Sequence, residues 1–395
     1  MDLRDTPEEA GFREEVRSWL AGNLPEGWRT AAFAEPETAE ARVAFLKSWQ
    51  RKLYDGGWAG LDWPKAYGGR EIGVVESLIF SEEYHRVRAP DMTNLSVGPS
   101  LVGPTVIACG ADWQKKRFLE PILKGEEVWC QGFSEPNAGS DLAALRTRGE
   151  IHGDEVVVTG QKIWTSFAHQ ADWCILVIRT DPDAPRHKGL TFVLVDMKTP
   201  GITIRPLREM TGEAWFNEVF FDEVRVPIAN VVGEINQGWN VVMTTLAHER
   251  GSSAQHARLG AEVNALFDLA RRTPRAGGRA ADDPLVRQKL VEFATGVMIL
   301  KMSSYRNAAV LDHNGVPGPE GSTLKLLWSE LDQRVKETAV EILGEAGLVN
   351  QGDAQAVEDG YWAHELLWSR AATIYAGTSE VQRNIIATRV LGLPR

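Results

Sequence analysis

Four stretches of the chain set polar side chains at spacings that could do chemistry. Residues 134–142 read Ser-Glu-Pro-Asn-Ala-Gly-Ser-Asp-Leu. The hydroxyls of Ser134 and Ser140, with Gly139 and a turn, would expose backbone N–H groups, a concavity that can hold a pyrophosphate without a lysine. An ordinary polar turn is the plain alternative. Residues 161–166 read Gln-Lys-Ile-Trp-Thr-Ser. On an extended strand alternate residues share a face, so the ring of Trp164 and the hydroxyl of Ser166 would point to one side. An aromatic core residue with a satisfied hydroxyl is the alternative. Further on, Thr245, Glu249, Ser252, Ser253 and His256 recur at helical spacing. The small residues from 251 to 254 leave volume beside a single carboxylate, which suits a base in a pocket, although a solvated helix face has the same pattern. Last, residues 374–383 read Ile-Tyr-Ala-Gly-Thr-Ser-Glu-Val-Gln-Arg. There Thr378 would cap a terminal helix whose free N–H groups attract anions.

The surrounding pattern predicts the elements that carry these residues. Thr6, Pro7 and Glu9 form a capping-box start, followed by Phe12, Val16, Trp19 and Leu20 at helical spacing. Similar apolar periods predict helices over 40–55, 73–84 and 112–123. From about 128 the period changes. Runs rich in β-branched and aromatic residues at 155–159, 173–179, 190–195, 202–205 and 218–226 predict a mostly antiparallel β domain. After Gly238 the helical period returns over 239–272, 284–313, 322–343 and 361–372, with a last helix after Thr378. Long helices in succession predict a bundle, with the loop 275–284 as the clearest flexible connection.

Composition narrows the function. The chain has 395 residues, and 43 Lys plus Arg against 54 Asp plus Glu give a net charge of −11. An acidic chain with no basic domain argues against nucleic acid or an anionic membrane as partner. The charged opening residues and the lack of a long apolar run predict a cytoplasmic protein. Cys109, Cys130 and Cys174 are widely spaced and in no CxxC pattern, so neither disulfides nor a zinc site is expected, and no metal is assigned. No glycine-rich dinucleotide fingerprint or P-loop is present. His248 and Glu249 begin like a zinc-protease motif, but the next histidine is His256, too far along to close it.

Taken in order and spacing, the four stretches resemble the acyl-CoA dehydrogenase family, over essentially the whole chain. The resemblance implies an α+β fold: an N-terminal helical domain over 1–127, a middle antiparallel β domain over 128–232 and a C-terminal four-helix bundle over 233–395. It implies FAD as cofactor, removal of α- and β-hydrogens from an acyl-CoA to give the 2,3-enoyl-CoA in lipid degradation, and an electron-transfer flavoprotein as electron acceptor. By motif match, Phe133, Ser134, Gly139, Ser140, Trp164, Ser166, Gly344, Gly377, Thr378 and Glu380 would bind FAD, with Trp164 stacked on the flavin, Ser166 reaching its N5, and Thr378 and Glu380 on the ADP half of a neighbouring subunit's FAD. Ser140, Glu249, Arg250 and Ala376 would meet the substrate. Many relatives carry the catalytic glutamate where this chain has Ala376. A subgroup that includes isovaleryl-CoA and long-chain dehydrogenases, and to which actinobacterial FadE-type enzymes are similar, carries it on the long helix before an arginine, as Glu249 stands before Arg250. Two departures stand out. A Gln-Ile-Phe-Gly-Gly loop of the family appears here as Glu-Ile-Leu-Gly-Glu, with Glu341 and Glu345, and the loop 275–279 replaces an arginine motif. Because the flavin loop and the base lie in one chain, a homo-oligomer, dimer or tetramer, is expected. The rival readings are an acyl-CoA oxidase or flavin monooxygenase of the same fold, and a non-catalytic nucleic-acid-binding member.

Overall fold

The computed structural model describes residues 4–30, 32–251, 255–275, 277–314 and 318–394, the side chains of 249–251 and 312–314 excepted. Helices come first: α1 (Pro7–Asn23), α2 (Ala39–Asp55), α3 (Val74–Arg86), α4 (Gly103–Cys109) and α5 (Asp112–Lys124). The predicted capping box of α1 is present, with Glu9 N–H donating to the Thr6 hydroxyl at 3.2 Å and Thr6 N–H to the Glu9 carboxylate at 2.7 Å. The short α4 had no clear period of its own.

Eight strands follow: β1 (Trp129–Gly132), β2 (Arg148–His152), β3 (Glu155–Ser166), β4 (Trp173–Arg179), β5 (Leu190–Asp196), β6 (Ile202–Leu207), β7 (Phe216–Pro227) and β8 (Val231–Val232). They form one sheet in the order β6-β7-β3-β2-β4-β5-β8, with β1 beside β4. The pairs are antiparallel except β1 with β4 and the single β2 to β4 contact. One face closes over a core that includes Val156, Val158, Leu176, Ile178, Val193, Phe221 and Val224.

The C-terminal part contains α6 (Gly238–Gly251), α7 (Gln255–Arg272), the two-stranded β9 (Pro274–Arg275) and β10 (Gly278–Arg279), then α8 (Pro284–Asn314), α9 (Gly321–Leu343), α10 (Tyr361–Ser369) and α11 (Ser379–Ile385). Leu259, Leu266, Phe293, Leu331, Val335 and Trp362 join α7 to α10 in one core. This is the predicted bundle. The helix expected over 239–272 is described over Gly238–Gly251 and Gln255–Arg272, and residues 252–254 lie outside the described residues. One expectation needs correction. The loop expected to be flexible is ordered where it is described. Arg279 donates to the Arg272 carbonyl at 3.0 Å, Arg275 pairs with Asp283 at 3.1 Å, and Ala280 is fully buried. Its glycines and charges carried the flexibility signal, while the ion pair and the hydrogen bond that tie it down have no local sequence period.

Two compact units do not follow chain order. One comprises Met1–Leu24, Gly73–Ala89 and Arg250–Arg395, the other Pro25–Ile72 and Pro90–Glu249. Within the first, α1 and α3 are tied to α7 and α8 through Glu82, whose carboxylate accepts from Arg13 at 2.9 Å, His256 at 3.1 Å, Lys301 at 2.9 Å and Tyr305 at 3.2 Å. Burial pushes the Glu82 carboxyl up, but these donors outweigh it and hold it down to about 2.

Candidate active site

The first of the four stretches leaves β1 and turns at once. Glu135 N–H donates to the Ala138 carbonyl at 3.1 Å, and Ala138 N–H returns to Glu135 at 3.0 Å. Beneath this turn the buried Glu135 carboxylate accepts from the N–H groups of Arg146 at 2.6 Å and Thr147 at 2.8 Å, and from Lys162 Nζ at 2.9 Å. Lys162 is 0% exposed and also donates to the Phe133 carbonyl at 3.1 Å. Burial drives the Lys162 ammonium down and the Glu135 carboxyl up. For Glu135 the facing ammonium and the Thr147 donors outweigh burial, and it stays below its usual range. This pair was not foreseen, although a lysine directly before Ile163 and Trp164 on a strand was its signal.

The pair fixes the neighbouring residues. The Ser134 carbonyl accepts from Ile163 N–H at 2.9 Å, so the stretch with Phe133 and Ser134 runs alongside the one with Trp164. Phe133 is buried edge-on against Phe192, and Ser134 is half-buried. Gly139 and Ser140 are exposed, and a Cβ on Gly139 would meet nothing within 4 Å. The glycine is therefore not demanded by the chain's own packing and leaves room for an outside group.

Trp164 does not share a face with Ser166 by simple alternation. The β3 to β7 register shifts between Lys162 and Thr165, and Trp164 sits in that irregularity at φ 60°. A bulge resets which way side chains point. The indole is 59% exposed, with its edge toward Phe216, while Thr165 is buried and Ser166 half-buried opposite Phe216. A large aromatic face held outward on an over-determined backbone is suited to stacking.

In the terminal stretch Ala376 and Gly377 both take left-handed backbone, at φ 53° and 89°. Thr378 caps α11 as predicted, its hydroxyl accepting from Val381 N–H at 3.2 Å. Thr378, Ser379 and Glu380 line a cavity of about 520 Å³ with Glu330, Arg334 and Arg383. Arg334 is paired with Glu292 at 2.7 Å and Arg383 with Glu330 at 2.5 Å. The Ser379 hydroxyl is buried with no hydrogen-bond partner among the described residues. A buried orphan hydroxyl is costly unless something satisfies it. Its place in the cavity lining fits a cofactor rich in phosphate and hydroxyl groups. The Glu380 carboxyl is held below its usual range by its own backbone N–H and the Thr378 hydroxyl. Gly344 ends α9 at φ 60° and is not among the lining residues of this cavity. Nearby, Glu341 is neutralised by an ion pair with Lys289.

The helical stripe divides. Thr245 is buried and bonded to Val241 and to Thr105, at 2.9 Å each, and His256 is buried on Glu82. Neither is turned to a pocket, because each satisfies a polar group in its own unit. Glu249 and Arg250 lie on α6, but their side chains, and Ser252 and Ser253 entirely, fall outside the described residues. Among the described residues no His, Cys, Asp or Glu cluster is arranged to hold a metal, and no helix is long and apolar enough to cross a membrane.

Helices, a mixed sheet and a helical bundle in succession define a helix-sheet-helix protein. Comparison with known proteins gives the class its name. The chain matches the N-terminal, middle and C-terminal domains of acyl-CoA dehydrogenase over residues 6–126, 130–224 and 236–391. It is 43% identical to acyl-CoA dehydrogenase IpdE1 of Mycolicibacterium smegmatis, across 97% of each chain. Among solved structures it is similar to the Tcur3481-Tcur3483 steroid ACAD, at 32% identity and TM-score 0.86 over 100% of both chains. It is also similar to the ChsE4-ChsE5 complex from Mycobacterium tuberculosis, at 32% identity and TM-score 0.85 over 100% of both chains. The chain belongs to the acyl-CoA dehydrogenase family and is an oxidoreductase of that type.

Proposed function

We propose that the chain binds FAD and converts an acyl-CoA thioester to its 2,3-enoyl-CoA, with the electrons leaving to an electron-transfer flavoprotein. The observation that carries the reading is the terminal turn. Its backbone N–H groups at Ala376, Gly377 and Thr378 have no acceptor among the described residues, and Thr378, Ser379 and Glu380 line the polar cavity beside it. When bound, FAD supplies the acceptor for the β-hydrogen as hydride. Glu249 takes the α-proton, with Arg250 and Ser140 on the substrate. An α-C–H is a weak acid, so the base must be close and desolvated while fixed donors meet the charge that develops on the thioester oxygen. The N–H of Ala376 is such a donor. Trp164 and Ser166 would hold the flavin ring, the indole by stacking and the hydroxyl by hydrogen bonding. Phe133, Ser134 and Gly139 would form the wall of that pocket, Thr378 and Glu380, with Gly377, would take the ADP half of a neighbouring subunit's FAD, and Gly344 would also contact FAD.

The segments 1–127, 128–232 and 233–395 act as helical cover, sheet and bundle in this reading. Three free thiols fit a reducing, cytoplasmic setting. A homo-oligomer follows from having the flavin loop and the base in one chain. A second reading, assembly with a different chain, is favoured by one observation: both solved structures named above carry the names of two proteins. Mass analysis of the purified enzyme, alone and co-expressed with candidate partners, separates the two. The reaction is tested by adding acyl-CoA thioesters of varied length, branching and bulk anaerobically and following loss of flavin colour. Bleaching by one of them supports the reading, and bleaching by none refutes it.

A further inference from the structure

We infer that Gln382 is a positioning residue for the reaction: its side-chain amide straps the carbonyls of Ala376 and Gly377 and thereby aims the backbone donors of that turn. The inference rests on the dehydrogenase reading above, in which the N–H of Ala376 polarises the thioester. Gln382 stands in the second turn's reach of α11, is 2% exposed, and donates through Nε2 to the Ala376 carbonyl at 2.9 Å and to the Gly377 carbonyl at 3.3 Å. A trans peptide sets each carbonyl opposite the following N–H. Drawing the two carbonyls onto Gln382 therefore turns the N–H groups of Gly377 and Thr378 away from it. The N–H of Ala376 belongs to the preceding peptide and is set through the left-handed φ of 53° that the anchored 376–377 peptide helps to impose.

The strap is needed because the turn is unfavourable by itself. Ala376 is a non-glycine residue at φ 53°, a conformation that persists only when its surroundings impose it. What imposes it lies in view. Gln333 donates to the Thr373 hydroxyl at 3.1 Å, Tyr375 packs on Trp328 with ring centroids 6.2 Å apart, and Gln382 holds the carbonyls. Only the last touches residues 376 and 377 themselves. Gly377 leaves room for the amide, since a Cβ there would come within 2.5 Å of Gln382 Nε2. The other end of the amide, Oε1, is buried without a partner among the described residues. A buried glutamine left half-satisfied is disfavoured as a packing residue, so the two bonds it does make to a strained turn explain its presence.

The test is Gln382→Met, which keeps the length of the side chain and removes the donor. Its readouts are kcat and KM for the panel thioester that the parent enzyme oxidises fastest, and the infrared carbonyl stretch of the corresponding 2,3-enoyl-CoA bound to the oxidised enzyme. The expected result is a fall in kcat of about ten- to a hundredfold, the scale of a mis-set oxyanion donor. KM should change less than about threefold, and the carbonyl stretch should shift back toward its value in water. Adding Ala376→Gly should recover part of the kcat, because glycine reaches positive φ without a strap. If Gln382→Met does not fold, Gly377→Ala pushes the strap away from the backbone side and is read the same way. An unchanged kcat, an unmoved carbonyl stretch, or a loss confined to KM overturns the inference. If the parent bleaches with no thioester at all, the dehydrogenase reading falls and the inference with it. That result is distinguishable because it needs no variant.

Discussion

Replacing Lys162 with Met should destabilise the protein by about 3–5 kcal/mol, the range for removing one partner of a buried ion pair. In the structure the ammonium is fully buried, 2.9 Å from the Glu135 carboxylate. At an effective dielectric of about 20 the attraction at that distance is about 6 kcal/mol, comparable to the several kcal/mol that each ion loses on leaving water. The pair as a whole therefore contributes little net stability, and most of the effect of the substitution is the uncompensated carboxylate left behind. Arg146 N–H and Thr147 N–H remain as donors to it, which keeps the loss within that range. The same reasoning predicts rescue. Adding Glu135→Gln removes the stranded charge and keeps an acceptor for the amides, so the double variant should recover at least about 2 kcal/mol. Urea unfolding of the parent, both single variants and the double variant at neutral pH, with midpoints and slopes compared, measures this. A Lys162→Met protein within about 1 kcal/mol of the parent, or a double variant no more stable than the single one, would refute the reasoning.

Glu249→Gln should leave FAD and acyl-CoA binding intact and lower turnover by about 10² to 10⁴, the contribution of a positioned base, as read from the rate of flavin bleaching. Retention of near-parent rate moves the base elsewhere, and His256 is a poor substitute because it is engaged by Glu82. Acid should weaken the unit that holds α1 and α3. The Glu82 carboxyl sits at about 2 against an ordinary 4.5, so its contribution is present above the unfolded value and is lost as pH falls toward the folded one. That contribution is at most about 3 kcal/mol, and Glu82→Gln should flatten the dependence of melting temperature on pH below about 4.5 while lowering stability at neutral pH.

Much of the fold was legible because its signals are local. The Thr6 capping box, the Thr378 cap and the shift from helical to alternating period near residue 128 act over a few residues, and each stands where the pattern put it. What the pattern missed depends on partners distant in sequence. The ordering of the described residues 277–284 comes from Arg275 with Asp283 and from Arg279 reaching back to Arg272. The placing of Trp164 depends on a register shift against β7, which period-two counting cannot see. Thr245 and His256 share a helical spacing with Glu249, yet Thr105 and Glu82, far away along the chain, claim them. The strap from Gln382 to Ala376 had no sequence signal beyond a polar residue on the inner face of a short helix.

That this chain draws hydrogen from the α- and β-carbons of an acyl-CoA is tested most directly by titrating the purified protein with acyl-CoA thioesters in the absence of oxygen. Stoichiometric loss of flavin colour is expected with at least one thioester, with formation of the matching 2,3-enoyl-CoA and no such loss in the Glu249→Gln protein over the same time. Protein that carries no flavin, or flavin that stays oxidised with every thioester of a panel spanning short, long, branched and steroid-derived acyl groups, would contradict it.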